Sequence, residues 1–196
     1  MGRIVVTEFI SLDGVIEDPG GSESFRHGGW SFAMSAGEEG PQFKLDETRE
    51  SDALLLGRVT YEGFAEAWPS RDGEFADKFN SMPKYVVSST LAKADWNNST
   101  VLRGDLAEEV TKLKQEYDGD IVVHGSASLA RALLEHDLVD ELRLMVFPVV
   151  LGDGLRLFGE TSDKKTLQLA DSTVAGGGVL ILTYRPADRP EAADAG

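Results

Sequence analysis

Three short segments carry residue types that can hold an anion without supplying a nucleophile: Gly57-Arg58-Val59-Thr60, Ser88-Ser89-Thr90 and Gly125-Ser126-Ala127-Ser128. Each follows an aliphatic or β-branched run, and the first and third open stretches of helical spacing. Free backbone N–H groups and helix N-terminal dipoles therefore face whatever lies beyond the strand ends. Singly, each segment is ordinary turn and N-cap chemistry; together they describe a cradle for several phosphates. Arg58 is the one cation among them. In a chain with 34 acidic and 19 basic residues, formal charge -15, local positive potential must draw in an anionic ligand, which makes that guanidinium informative. The same charge argues against general nucleic-acid or anionic-membrane binding. With no cysteine there is no thiol nucleophile, disulfide or thiolate-bound metal. The three histidines, His27, His124 and His136, lack any short ligand spacing, so no metal is expected.

The elements that must position these segments alternate in kind. Strands are expected at 4–10, 53–56, 84–88, 99–102 and 120–124, with helices at 41–49, 60–68, 105–117 and 128–136. The apolar run 138–150, broken by Pro148, is followed by a terminal antiparallel hairpin over 167–184 around Gly176 to Gly178. Such alternation implies right-handed βαβ units in a mostly parallel sheet, where ligands bind at the carboxyl ends of strands. One domain is expected over 1–185, and the polar segment from Pro186 to 196 reads as a disordered tail. The start lacks a signal-peptide pattern and no apolar stretch approaches a membrane span, so a soluble cytoplasmic protein is expected. On the substrate side, the Gly-rich loop from Asp13 to Phe32 has the hinges of a lid, with Trp30 and Phe32 as its closing aromatics. Asp13 and His124 are further substrate-side candidates, His124 because a histidine at a strand end adjoins the Gly125 turn. The length of 138–150 and the exposed edge of the hairpin point to a homodimer through the C-terminal third.

The order and spacing of Ser11-Leu12-Asp13-Gly14, Leu56-Gly57-Arg58-Val59-Thr60-Tyr61-Glu62, Val87-Ser88-Ser89, Gly125-Ser126-Ala127-Ser128-Leu129, Leu138-Val139-Asp140-Glu141-Leu142 and Pro148-Val149-Val150-Leu151-Gly152-Asp153-Gly154 resemble the dihydrofolate reductase-like superfamily. Within it the chain is most similar to the reductase domain of riboflavin biosynthesis and its stand-alone bacterial relatives. That resemblance implies an α/β three-layer fold with a mixed, mostly parallel sheet of about eight strands. It also implies an NADPH-dependent oxidoreductase of the 5-amino-6-(5-phosphoribosylamino)uracil reductase type, transferring hydride to a C=N or imine-like carbon of a small heterocycle. Carried over residue by residue, Gly57, Arg58, Val59 and Thr60 face the cofactor phosphates, Arg58 at the one that distinguishes NADPH from NADH. Ser88 and Ser89 line the adenosine side, Gly125, Ser126, Ala127, Ser128 and Leu129 bind pyrophosphate, and Ile16 sits near the nicotinamide. Glu39 or Glu38, near the start of the first helix, would be the counterpart of the folate enzyme's pterin-binding acid. The chain departs from the riboflavin branch at His124, where those enzymes place a carboxylate, and at Arg58-Val59-Thr60, where they carry an acidic pair. Dihydrofolate reductase proper and a non-catalytic nucleotide-binding module are the alternative readings.

Overall fold

A computed structural model of the chain describes residues 1–187. Its eight strands are β1 (Arg3–Ser11), β2 (Ser51–Gly57), β3 (Lys84–Val87), β4 (Ser99–Leu102), β5 (Asp120–Val123), β6 (Glu141–Phe147), β7 (Leu167–Val174) and β8 (Leu180–Pro186). Five helices join them: α1 (Glu39–Glu50), α2 (Arg58–Ala67), α3 (Glu74–Ser81), α4 (Leu106–Glu116) and α5 (Ala127–Glu135). All strands form one sheet in the order β4-β3-β2-β5-β1-β6-β8-β7, parallel except where β8 pairs with β6 and β7. The expected tail begins inside β8, which keeps its ladder as far as Pro186, and the Ala187 N–H donates to the Thr166 carbonyl at 3.0 Å; the rest of that expectation, 188–196, lies outside the described residues.

The continuous apolar runs of β2, β5 and β6 reflect helices covering both faces of the sheet. On one face Ile4, Val6, Leu55, Ile121 and Val123 pack with Leu113 of α4 and Leu129 and Leu133 of α5. On the other, Val5, Leu54, Leu56 and Val122 meet Tyr61 of α2 and Phe79 of α3. Helix α3 is absent from the sequence expectation because only Phe75, Ala76 and Phe79 carry its apolar stripe, within eight residues. Between α3 and β3, Lys84 is fully buried, its Nζ donating to the carbonyls of Asn80, Met82 and Asn97 at 3.1, 2.8 and 2.9 Å.

Two features of register position the site. Gly57 pairs with Val87 across β2 and β3, Val87 pairs with Leu102 across β3 and β4, and the Gly57 N–H donates to the Gly125 carbonyl at 3.3 Å. The residues just beyond β2, β3, β4 and β5 thus lie side by side. The second feature concerns β1, which pairs with β5 only over Arg3–Val6 but with β6 from Val5 to Ser11. Past Val6 one flank of β1 has lost its neighbour, and the sheet opens there into a cleft.

Candidate active site

The cleft is one groove with two lobes along the carboxyl ends of the strands. The inner lobe, about 600 Å³, has Thr7, Glu8 and Phe9 of β1 in its lining, facing Lys44 of α1, Thr60 and Phe64 of α2, and the His124-Gly125 turn. Ile16 and Phe32 border it from the loop. The outer lobe, about 470 Å³, lies over Gly57, Arg58, Ser88, Ser89, Arg103 and Leu129. Val59, Ser126 and Ser128 line both. All twelve residues assigned to the cofactor by resemblance therefore border one groove.

Local sequence explains the turns. Gly125 adopts φ +100°, a conformation that suits glycine, and a Cβ there would stand 3.0 Å from Thr60 Oγ1, filling the gap between the turn and α2. A Cβ on Gly57 would strike Ser126 Oγ at 2.3 Å, so the turn after β2 can press against that after β5 only as glycine. The Gly125–Ser126 peptide is cis. Neither α2 nor α5 has a side chain capping its first turn, so N–H groups of both helices stay available to a ligand in the groove. By contrast Asp105 caps α4, which begins beside the outer lobe, through the N–H groups of Ala107 and Glu108.

Arg58 pairs with Glu62 one turn along α2, at 3.0 Å and half-exposed. A second cation missed by sequence reading stands beside it: Arg103, after β4, donates to the carbonyls of Ser89, Leu91 and Ala92 and ties down the loop after β3. Its signal was faint, because 99–102 is a weak strand and the fourth strand end had no glycine or serine cluster before Arg103.

The inner lobe has its own electrostatics. Lys44 Nζ donates to Thr7 Oγ1 at 2.6 Å and to Glu47, which is buried. Burial alone would raise the Glu47 carboxyl, yet Lys44, with help from Arg143, holds it below its usual value. Arg143 links Glu47 to Asp120 and Glu141 beneath the cleft. Burial pushes the Glu8 carboxyl up to about 8; Lys44 opposes this, while Glu47 and Glu23 add to it. His124 packs against the Phe64 and Phe79 rings at 6.1 and 5.3 Å, and that desolvation, reinforced by Lys44, pushes its imidazole down to about 3.

Three substrate-side expectations are corrected. Trp30 is buried, donates from Nε1 to the Glu17 carbonyl at 2.8 Å and packs edge-on against Phe147, so it anchors the loop and does not border the cleft. Asp13 accepts from Ser11 Oγ and from the N–H groups of Leu151 and Gly152, which hold its carboxyl well below the usual range. It fastens the turn after β1 to the 148–154 segment, away from the groove. Glu39 is exposed and stands against Gly37, likewise outside it. Of the substrate-side candidates, the structure brings His124 to the inner lobe. Glu8 and Lys44 escaped sequence reading: Glu8 sits where an alternating strand reads as half-exposed, and Lys44 lies in a charged stretch of α1.

A mixed eight-stranded sheet flanked by helices, with a groove over its strand ends, defines a dihydrofolate reductase-like α/β protein. Dihydrofolate reductase from Enterococcus faecalis complexed with NADP(H) superposes with a TM-score of 0.57 at 16% identity, over 95% of this chain and 97% of that one. A Shewanella sp. PV-4 protein assigned to riboflavin biosynthesis superposes with a TM-score of 0.76 at 22% identity, over 95% and 99%. Residues 3–181 match the RibD C-terminal domain, and the chain belongs to that family. YyaP of Bacillus subtilis (strain 168), itself uncharacterized, is 29% identical over 187 residues, 93% of this chain and 94% of YyaP.

Proposed function

We propose that this chain is an NADPH-dependent reductase that delivers hydride to a C=N or imine-like carbon of a small heterocycle. The observation that carries the reading is the continuous two-lobed groove with the uncapped first turns of α2 and α5 along it. A dinucleotide's phosphates need N–H donors and close backbone approach, and Gly57 and Gly125, where a Cβ would collide or fill the gap, fit that requirement. Gly125 to Leu129 would hold the pyrophosphate, Ser88 and Ser89 the adenosine side, and Arg58 the extra phosphate. When bound, the reduced nicotinamide supplies the hydride. The chain's own residues do the rest: Ile16 and Phe64 present apolar surface that excludes water, while Thr7, Lys44 and His124 offer polar contacts that orient a flat ring. Such a step requires positioning and a proton, not a protein nucleophile.

The test is a titration of the protein with NADPH and NADH. NADPH is expected to bind about tenfold tighter or more, since a charge-assisted pair contributes roughly 1.5–3 kcal/mol, and Arg58→Ala should erase the preference. Equal affinities in the unmutated protein would remove Arg58 from the cofactor site.

A further inference from the structure

We propose that Glu8 is the proton donor of this reaction, giving its carboxyl proton to the nitrogen of the substrate's C=N group as the adjacent carbon is reduced. The inference rests on the reductase reading and goes beyond it by assigning the acid and limiting the substrate.

The geometry begins with β1. Glu8 lies on the same face as Ile4, Val6 and Ile10, all core residues, yet two positions past the end of the ladder with β5. Its side chain is therefore sunk in the sheet while still lining the inner lobe, with only 9% of its surface exposed. Oε1 is shut off from solvent and has no hydrogen-bond partner among the described residues. It lies against the Gly125 turn, 3.6 Å from where a Cβ of that residue would stand. An ionised carboxylate left so unpartnered is strongly disfavoured, and a neutral carboxyl is a donor in want of an acceptor. Oε1 is closed to a ligand as well as to water, so an acceptor in the cleft meets the carboxyl through the small part of the side chain that stays open, with the proton on Oε2.

The groups facing Glu8 leave it this role. From α1, Lys44 is engaged with Thr7 and Glu47. From the end of β5, His124 is held uncharged at neutral pH and has no imidazolium proton to give. From the loop, Glu23 is exposed, Glu17 accepts from the Leu155 N–H, and Asp18 accepts from three backbone N–H groups of its own turn. The electrons balance simply. The substrate carbon takes hydride from a reduced nicotinamide, and the C=N π pair becomes the new N–H bond. The carboxyl O–H breaks to leave the Glu8 carboxylate, which regains a proton from water after product leaves. With Glu17, Asp18 and Glu23 at the loop end, Lys44 engaged by Glu47, and Arg131 turned to the backbone carbonyls of Arg156 and Leu157, the part of the lobe beside the neutral Glu8 carboxyl suits a substrate group that is uncharged or weakly basic.

The experiment compares the full-length protein with Glu8→Gln, using NADPH with the cyclic imines 2-methyl-1-pyrroline and 3,4-dihydroisoquinoline. It is paired with a carbon-13 titration of the labelled Glu8 carboxyl. The expected result is a carboxyl titrating near pH 8, turnover that falls as pH rises through that value, and a loss of about a hundredfold in the variant. NADPH affinity should stay within about twofold. A Glu8 carboxyl titrating in the ordinary carboxylate range overturns the assignment whatever the turnover, as does a variant with wild-type turnover. If the unmutated protein binds NADPH but reduces neither imine while the carboxyl still titrates near pH 8, the C=N reductase reading falls, and the donor role falls with it. The uncharged carboxyl in the cleft would stand as an independent finding.

Discussion

Between its usual value of 4.5 and its folded value of about 8, the Glu8 carboxyl makes stability depend on pH. Across that window the unfolded chain loses the Glu8 proton while the folded chain keeps it, so the folded state binds more protons and stability falls as pH rises. The contribution is complete below 4.5 and gone once pH passes about 8. Glu8→Gln removes the dependence. Urea denaturation should show the variant gaining on the wild type between about pH 5 and about pH 9, on the order of several kcal/mol; a constant difference would mean that Glu8 is solvated. The same residue marks a limit of sequence reading. Thr7-Glu8-Phe9 follows the alternation that sends polar side chains to solvent, and whether β1 outruns β5 is a matter of register that no single strand contains. The cradle was legible because glycine and serine after an apolar run report a local backbone requirement. Trp30 misled for the converse reason: an aromatic in a polar loop looks the same whether it closes on a ligand or plugs into the core beside Phe147.

At the scale of elements, Lys84 shows how β3 is held against α3 and the segment leading to β4. Its ammonium donates to three carbonyls, of which that of Asn80 also accepts from Asn97 Nδ2, and it stands 4.4 Å from the centre of the Trp96 ring. Lys84→Ala should destabilise the protein by roughly 3–5 kcal/mol, the range for removing one partner of a buried charged network. Thermal unfolding checks this, and a loss below about 1 kcal/mol would mean water replaces the ammonium readily. Most element positions were readable because apolar runs buried on both faces differ from helical spacing. Helix α3 was not, since three apolar positions in eight residues make a weak period and its order comes from Phe64, Trp68, Phe75 and Phe79 packing together. The expected surplus in 138–150 dissolves for a related reason: β6 is an interior strand between β1 and β8 and buries both of its faces.

For the whole molecule, the sheet ends at β7, where every residue but the first is exposed, including Leu169 and Val174 at 49% and 72%. An edge of that length, unpaired among the described residues, is a template for another strand, and a second copy pairing edge to edge is the expected occupant. Light scattering at micromolar concentration should report about twice 21.2 kDa. A particle of monomer mass refutes the homodimer, and Ser172→Pro, at a position whose N–H points away from β8 in the alternation set by the Ala175–Val179 pair, should split a dimer formed this way. Inside the sheet, β1 bears on selectivity rather than assembly. Because the proposed acid rides on a central strand clamped by β6, its backbone is fixed, whereas Ile16, Asp18 and Phe32 belong to a loop whose hydrogen bonds to that strand are made at Ser11, its last residue. Exchanging that loop between relatives should therefore redirect which rings are accepted while leaving the direction of proton delivery unchanged, so chemistry and choice of substrate are free to diverge separately.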